Sequence, residues 1–214
     1  MRIIAGEFKS RRVKPVPGTL VRPTPDRLRE TLFAVLGTQV EGSVFLDAYA
    51  GSGAVGLEAL SRRARRVILI ERNFEALEII RQNVRSLGVE GRVDIVRGNA
   101  AAQLVRFASN IAFVDPPYDR PLEYGNALAA LAETTCSLAI AQHPSRMMLE
   151  ERYGSLLRTR VLKQGDNSLS FYGHVAADDG TQKQSGDESE RDVHHIGSGG
   201  TGADETTASI EEAI

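Results

Sequence analysis

The chain has 214 residues, 42% of them hydrophobic, which is enough for one well-buried domain with a small appendage. Its single cysteine, Cys136, excludes an intramolecular disulfide and a zinc site built from several thiolates, and no apolar stretch reaches the roughly 20 residues that cross a bilayer. The net charge of -2 conceals 10 acids against 2 bases in residues 176–214, which leaves residues 1–175 with a net charge of +6. A basic body predicts an anionic partner.

The first 18 residues, MRIIAGEFKSRRVKPVPG, contain two short apolar stretches among basic residues. Turn-prone residues separate the two stretches, so the pattern predicts a small basic β-hairpin over residues 1–18, ended by Pro15 and Pro17. The segment does not have the pattern of a secretory signal. With a single cysteine, we therefore expect a cytoplasmic protein without a membrane anchor.

A helix comes next, followed by a regular alternation of strands and helices. Thr24 is a candidate cap, Pro25 suits the first turn, and apolar residues recur at helical spacing up to Gly37. The pattern then predicts strands over residues 44–46, 67–70, 93–96 and 111–114, and helices over residues 54–63, 74–87, 100–108 and 122–133. Because the strands are continuous apolar runs, we predict a doubly wound, mostly parallel α/β sheet of the Rossmann-like type over residues 19–175.

The end of the predicted sheet and the tail have different patterns. Apolar runs at residues 146–149, 158–162 and 168–172 predict further strands, the last two forming an antiparallel hairpin that closes the sheet. Residues 176–214 are rich in Gly, Ser, Thr and acids, which predicts an acidic disordered tail. His194 and His195 lie in that tail and are interpreted as solvated, so no metal site is predicted.

A glycine-rich loop follows the first strand. In LDAYAGSGAVGLEAL, Gly51, Gly53 and Gly56 have the spacing of a dinucleotide-binding loop, and Glu71 ends the next strand about 20 residues on. This pattern alone does not separate NAD from other adenosine cofactors. Asp47 favours S-adenosylmethionine, because a carboxylate at the end of the first strand would repel a pyrophosphate but attract an ammonium and a sulfonium.

Two further polar residues end strands of the predicted sheet. Glu71 can accept hydrogen bonds from the two ribose hydroxyls of the cofactor, unless it is a solvent-facing acid at a strand end. Asn99 can meet the adenine amino group, unless it only caps the following helix. Basic residues near the end of the second helix are either its solvated end or an RNA contact: Arg62, Arg63, Arg65 and Arg66.

The strongest chemical signal is the stretch IAFVDPPYDRPLEY. An exocyclic amine must pyramidalise before it accepts a methyl group, and Asp115 with the carbonyl of Pro116 can accept its two hydrogens. The prolines, including Pro117, fix the backbone and donate no N–H, and Tyr118 can stack on the base. The alternative is a tight turn after a strand with a packing tyrosine. After a fourth parallel strand and a glycine-rich loop, the motif favours amino-methyl transfer.

Five stretches together resemble a known family. DPPY resembles the motif of methyltransferases that act on amino groups of adenine, guanine, cytosine or glutamine, so it leaves the acceptor open. MRIIAGEFKSRRV, VRPTPDRLRETLF, LDAYAGSGAVGLEALSR, IERN and FVDPPY are similar in order to the RsmD type of bacterial methyltransferase. The resemblance implies transfer to guanine N2 in 16S rRNA of the small ribosomal subunit, with S-adenosylmethionine as cofactor and a monomeric enzyme.

The resemblance also assigns residues. The cofactor site would include Asp47, Tyr49, Gly51, Ser52, Gly53, Glu71, Arg72, Asn99 and Ala100, and the target guanine would meet residues 115–118. A further set of residues would contact RNA or frame the pocket: Arg2, Lys9, Arg11, Arg12, Lys14, Arg22, Thr24 and Arg27. Ser10 and Ala34 depart from the family pattern, and so does the acidic tail. Two alternatives stay open: an adenine-N6 nucleic-acid methyltransferase and a noncatalytic RNA-binding assembly factor.

Overall fold

The computed structural model of the protein describes residues 1–18 and 26–175. Five α-helices lie in these ranges: α1 (Asp26–Leu36), α2 (Ala54–Ser61), α3 (Phe74–Leu87), α4 (Ala100–Leu104) and α5 (Leu122–Ala132). The strands are β1 (Val44–Asp47), β2 (Arg66–Glu71), β3 (Val93–Arg97), β4 (Ile111–Val114), β5 (Leu138–Pro144), β6 (Arg152–Tyr153), β7 (Leu156–Gln164) and β8 (Asn167–His174). Short 3-10 turns precede β1 and β3.

All eight strands form one sheet in the order β3-β2-β1-β4-β5-β8-β7-β6. The five strands from β3 to β5 are parallel to one another, and β8, β7 and β6 add antiparallel partners at one end. The chain order reverses at β1, which has β2 on one side and β4 on the other. This is the predicted doubly wound, mostly parallel fold, and its antiparallel closing hairpin is confirmed.

The core lies on both faces of the sheet because successive residues of each central strand point to opposite sides. On one face, Phe45, Leu69 and Phe113 pack with α1, α2 and α3. On the other face, Leu46 and Ile70 pack with α4 and α5. No helix in the described ranges is long and apolar enough to cross a membrane.

Helix α3 shows why the local predictions succeeded. Asn73 caps it, with the side chain accepting from the N–H of Ala76 at 3.0 Å, and Gly88 ends it in the left-handed conformation at φ 72°. Both signals are present in the sequence at the predicted bounds. Apolar residues at helical spacing fill the buried face between them: Ala76, Leu77, Ile80, Val84 and Leu87.

Two predicted elements differ from the structure. The strand predicted over residues 146–149 is absent, and strand β5 instead occupies Leu138–Pro144. Its sequence, LAIAQHP, begins with an apolar run of four residues, but two of them are alanines, which are depleted in strands. Its place between β4 and β8 supplies partners on both sides. The fourth predicted helix is also shorter, ending at Leu104 instead of residue 108.

The N-terminal segment folds back on itself without forming two regular strands within residues 1–18. One antiparallel bridge joins Arg2 to Arg12, and Ile3 donates its N–H to the carbonyl of Arg11 at 3.0 Å. Ile3, Phe8 and Val13 are buried in the same cluster as α1 and α2. The predicted β-hairpin is therefore reduced to a looped segment that packs on the core.

A buried polar group holds this segment in place. The Glu58 carboxylate, fully buried on α2, accepts from the N–H groups of Ile4 at 2.8 Å and Ala5 at 3.1 Å. It also pairs with Arg62 at 2.8 Å and faces the buried Arg29 at 3.8 Å. Because removing one partner strands a buried charge, loss of Glu58 would cost about 3–5 kcal/mol.

Gly6 is required at the point of closest approach. Its φ is 85°, and a Cβ there would lie 1.9 Å from the carbonyl oxygen of Ser61. The Ser61 hydroxyl accepts from the N–H of Phe8 at 2.9 Å. Thus α2 fixes both the segment and, at its other end, the glycine-rich loop.

Candidate active site

A cavity of about 720 Å³ lies at the carboxyl edge of the parallel strands, where the strand order reverses. Most of the predicted cofactor and catalytic residues line it together: Asp47, Tyr49, Gly51, Ser52, Glu71, Arg72, Ala100, Asp115, Pro116, Pro117 and Tyr118. Gly53 and Asn99 are not among its lining residues. The volume lies in the range of small-molecule sites, so the cavity can hold an adenosyl cofactor.

The loop after β1 brings the backbone close to this cavity. Gly51 and Gly53 have φ values of 54° and 80°, and Gly53 is the residue before α2. A Cβ on Gly56 would meet the side chains of Leu69 at 2.4 Å and Val67 at 2.7 Å. The three glycines therefore serve two purposes, since the first two shape the loop and the third lets α2 pack tightly on β2.

Asp47 is the buried charge of the site. Its Oδ2 accepts from the N–H of Gly56 at 3.2 Å, and the residue is 2% exposed. Burial raises the pKa of this carboxyl to about 7, and the nearby Glu71 carboxylate adds to the rise. A cationic ligand group at this wall would favour the ionised form. The site thus fits the positively charged cofactor expected from the sequence.

Glu71 is held by three backbone donors. Its Oε2 accepts from the N–H of Gly51 at 2.9 Å, and its Oε1 accepts from the N–H groups of Arg72 and Asn73, both at 2.8 Å. A carboxylate offers about four acceptor positions, so three are taken and one on Oε2 is left. The remaining position can accept from one ribose hydroxyl, and the predicted contact with two hydroxyls stays a prediction.

Asn99 does what the alternative interpretation predicted. Its Oδ1 accepts from the N–H of Ala102 at 3.3 Å and caps α4. Its neighbours Gly98 and Ala100 line the cavity, whereas Asn99 does not. The predicted contact between the Asn99 amide and adenine stays a prediction that the cavity wall does not support.

The turn after β4 forms the opposite wall. Asp115 is half-buried, Pro116 is buried, and the carbonyl of Pro117 accepts from the N–H of Arg120 at 2.9 Å to close the turn. Tyr118 is 37% exposed. Burial raises the pKa of Tyr124, and the nearby Asp115 carboxylate adds to the rise.

Two side chains that sequence reasoning missed hold Tyr118. Its hydroxyl donates to Oδ1 of Asn167 at 2.8 Å and accepts from Nε2 of Gln142 at 3.2 Å. Gln142 lies on β5, which the sequence did not reveal, and is 2% exposed. Asn167 begins β8. A glutamine near the end of a strand could have indicated that Gln142 faces the site. This inference requires that β5 be placed correctly first.

A cluster of charged side chains forms part of the cavity lining. Glu123 at the start of α5 pairs with Arg72 at 3.2 Å and Arg120 at 3.4 Å, and its carbonyl accepts from the Tyr49 hydroxyl at 3.4 Å. All four residues line the cavity. These contacts join the loops of β1 and β2 to the turn that carries Asp115.

Three basic residues of the N-terminal segment line a second cavity that adjoins this one: Arg2, Arg12 and Lys14. Arg2, Lys9, Arg11, Arg12, Lys14 and Arg27 are exposed. This second cavity, of about 600 Å³, is also lined by Asp26, among others, and it shares Met1 with the first. Arg22 and Thr24, which the resemblance also assigns to RNA, lie outside the described residues.

Asn83 links the basic segment to the cofactor loop and was not anticipated. It is 1% exposed on α3. Its Nδ2 donates to the carbonyls of Ser52 at 2.9 Å and Lys14 at 3.0 Å, and its Oδ1 accepts from the N–H of Lys14 at 2.8 Å. The sequence shows only a polar residue on a buried helical face. Among the described residues, no group of three or more His, Cys, Asp or Glu side chains is placed to hold a metal ion.

Comparison with known proteins agrees with this geometry. The family model of Conserved hypothetical protein 95 matches residues 1–173. The chain belongs to this family. Together with the relatives described next, this membership confirms the resemblance to the RsmD type and S-adenosylmethionine as the cofactor.

Individual relatives of this family cover the same region. The chain is 32% identical over 182 residues to "Putative rRNA methyltransferase YlbH" of Bacillus subtilis, covering 80% of this chain and 98% of that protein. It is 42% identical over 125 residues to "Ribosomal RNA small subunit methyltransferase D" of Escherichia coli K12, covering 57% of this chain and 62% of that protein. The solved structure "Putative methyltransferase yhhF from Escherichia coli" superposes with a TM-score of 0.70 at 33% identity, over 83% of this chain and 99% of that one.

Proposed function

We propose that this protein transfers the methyl group of S-adenosylmethionine to the exocyclic N2 amine of a guanine in 16S rRNA of the small ribosomal subunit. One observation carries the proposal. The carboxylates of Asp47 and Glu71 share a single cavity with the turn of Asp115 and Tyr118, and a basic cavity adjoins it at Met1. The similarity to proteins named as rRNA methyltransferases supports an rRNA substrate.

The bound cofactor supplies a methyl group on a positively charged sulfur, which is already a strong electrophile. The residues of the chain therefore act mainly by positioning, and well-oriented groups can lower a barrier by about 7–11 kcal/mol. Asp47 carries the negative charge that suits the cationic end of the cofactor, and Glu71 receives the ribose. Gly51 donates its N–H to Glu71, and the carbonyl of Ser52 accepts from Asn83. These two hydrogen bonds fix the loop that lies between the two carboxylates.

On the opposite wall, the turn after β4 prepares the amine. Asp115 accepts one hydrogen of the amine and is the group placed to take a proton from it, while the carbonyl of Pro116 accepts the other. The amine lone pair then faces the methyl group. Tyr118 stacks on the base and keeps it in the plane of these acceptors.

The exposed basic residues supply the affinity for RNA. Arg2, Arg12 and Lys14 would hold phosphates next to the cavity, which positions the strand without reading its sequence. A base must leave its stack to enter such a cavity, and this costs least in a loop or single strand. We infer a monomeric enzyme that acts on an accessible loop of 16S rRNA, free or in an assembling small subunit.

The experiment is mass spectrometry of 16S rRNA from a strain that lacks this protein. The proposal predicts that one N2-methylguanosine is lost and returns with the wild-type gene but not with the Asp115→Ala variant. A missing N6-methyladenosine instead would establish the adenine alternative. An unchanged rRNA, together with no calorimetric affinity for S-adenosylmethionine, would establish a noncatalytic RNA-binding protein.

A further inference from the structure

We propose that Gln142 is a positioning residue that acts through the Tyr118 hydroxyl, and that Asn167 completes the same hydrogen-bond chain. The proposal rests on the function proposed above, because it assigns the ring of Tyr118 to the target base. The chain runs from Gln142 Nε2 to the Tyr118 hydroxyl at 3.2 Å and on to Asn167 Oδ1 at 2.8 Å.

The direction of each hydrogen bond follows from chemistry. A tyrosine hydroxyl donates one hydrogen and accepts others. Because the Tyr118 hydroxyl donates to the Asn167 carbonyl oxygen, it accepts from the Gln142 amide nitrogen. The ring is thus tied at its far end to two different strands, which restricts rotation about the bonds that join it to the backbone. A base that stacks on this ring meets a surface of fixed orientation.

The stability of the fold does not explain Gln142. Its Oε1 is buried and has no hydrogen-bond partner among the described residues. A buried acceptor without a partner lowers stability, and it is expected to have a functional or structural reason. The residue is 2% exposed, lines the active-site cavity and donates its side-chain N–H to the Tyr118 hydroxyl. The position of its amide is therefore explained by the contact with the Tyr118 ring and not by packing in the core.

The location of the partners gives the antiparallel end of the sheet a role. Gln142 is paired with Leu169, and Pro144 with Asn167, in the β5–β8 ladder. Both polar partners of the ring thus come from one antiparallel pair, which holds them at a set spacing. The β7–β8 hairpin then serves as the support of the base-binding turn as well as the closure of the sheet.

The test is a double-mutant cycle with Gln142→Met and Tyr118→Phe, using unmodified small subunits and labelled S-adenosylmethionine. Each single change should lower kcat by about fivefold, the size expected for one hydrogen bond, with little change in cofactor affinity. The double variant should be no slower than either single variant, because Gln142 acts only through the hydroxyl. Multiplied effects in the double variant would overturn the proposal.

Three further variants separate positioning from folding. Gln142→Met should not lower the melting temperature, since it removes a buried acceptor that has no partner. Asn167→Asp keeps an acceptor and should retain activity, whereas Asn167→Ala should lower it as Tyr118→Phe does. Gln164→Met is the matched control, because Gln164 also has a buried Oε1 without a partner in the described ranges but does not line the active-site cavity. It should leave kcat unchanged.

A readout without catalysis keeps this proposal separate from the proposed function. In protein labelled with 3-fluorotyrosine, the Tyr118 signal is identified by its loss in Tyr118→Phe. It should shift or broaden in Gln142→Met and stay unchanged in Gln164→Met. If wild-type protein transfers no methyl group to small subunits, the proposed function fails while the fluorine spectrum still decides the ring contact. An unmoved Tyr118 signal in Gln142→Met would contradict the proposal.

Discussion

The two walls of the active-site cavity are built in different ways. On the cofactor wall, backbone N–H groups hold the carboxylates: Gly56 donates to Asp47, and Gly51, Arg72 and Asn73 donate to Glu71. On the base wall, side chains hold a side chain, and the partners of Tyr118 lie 24 and 49 residues along the chain. Backbone donors come with the strand-loop-helix units themselves, whereas the base wall depends on the whole sheet being assembled.

This difference predicts that the two walls can be damaged separately. The largest effect should come from Asp115→Ala on the base wall. Turnover should fall by about 10²–10³, the loss typical of one preorganised contact that acts in the transition state. Cofactor affinity should remain close to wild type, because Asp47 and Glu71 are held by other elements. Single-turnover methyl transfer and calorimetry measure the two quantities. A variant with wild-type turnover would refute the role of Asp115.

Asp47→Asn tests the cofactor wall. The pKa of Asp47 in the free protein is about 7, and a cationic cofactor favours the ionised carboxylate. Binding therefore releases a proton below this pKa, and affinity should rise by about tenfold between pH 6 and pH 8. The Asn variant should bind more weakly at pH 8 and lose this rise. Calorimetry across the pH range is the measurement; an equal slope in both proteins would show that Asp47 does not face the cationic group.

The same substitution makes a prediction about stability without cofactor. In the folded state the pKa of Asp47 is raised from its ordinary value of 3.8 to about 7. The folded state therefore binds this proton more tightly than the unfolded state does. The contribution of Asp47 to stability is then fully present below about pH 4 and is lost as the pH rises through about 7. Asp47→Asn should melt at a higher temperature than wild type at pH 8, with the difference shrinking towards pH 4.

Changes to exposed basic residues should have a smaller effect, on the affinity for RNA. Replacing Arg11 and Arg12 with Ala should weaken RNA binding and reduce the slope of log affinity against log salt by about 0.7 per lost phosphate contact with a single strand. Arg106→Ala with Arg152→Ala is the matched control, because both side chains are exposed, neither is assigned to RNA and neither lines one of the two cavities. Equal slopes for wild type and the Arg11, Arg12 variant would place the RNA surface elsewhere.

The smallest effect should follow removal of residues 177–214. The composition of this tail predicts that it contributes little to the packed body. The free energy of unfolding, measured by thermal denaturation, should change by less than about 0.5 kcal/mol, the size typical of neutral surface changes. RNA affinity should rise if anything, because the deletion removes acids. A large loss of melting temperature would show that the tail stabilises the body.

The cofactor wall could be predicted from the sequence because its signals are local. Asp47, Gly51 and Glu71 lie at strand ends or in the loop between a strand and a helix, so the element pattern alone brings them to one edge. The Asp115 turn was found for the same reason. Asn99 shows the limit, since a strand-end amide can equally cap the next helix, and the sequence does not contain the geometry that decides between them.

The parts that were not predicted depend on contacts across long stretches of chain. Strand β5 has alanine at two of its four apolar positions, so its sequence signal is weak without its neighbours, and with it Gln142 was missed. Glu58 and Asn83 looked like ordinary polar helix residues, yet each is buried and bonds to the N-terminal segment more than 50 positions away. Helical spacing predicts a face, but it does not predict which segment covers that face.

The central claim is methyl transfer from the cofactor wall to a guanine amine on the base wall. The most direct measurement uses S-adenosylmethionine labelled in its methyl group, purified protein and small subunits that lack the modification, followed by digestion of the rRNA and identification of the labelled nucleoside. The account predicts label in N2-methylguanosine of 16S rRNA, abolished by Asp115→Ala. Label in any other nucleoside, or none with wild-type protein that binds the cofactor, would contradict it.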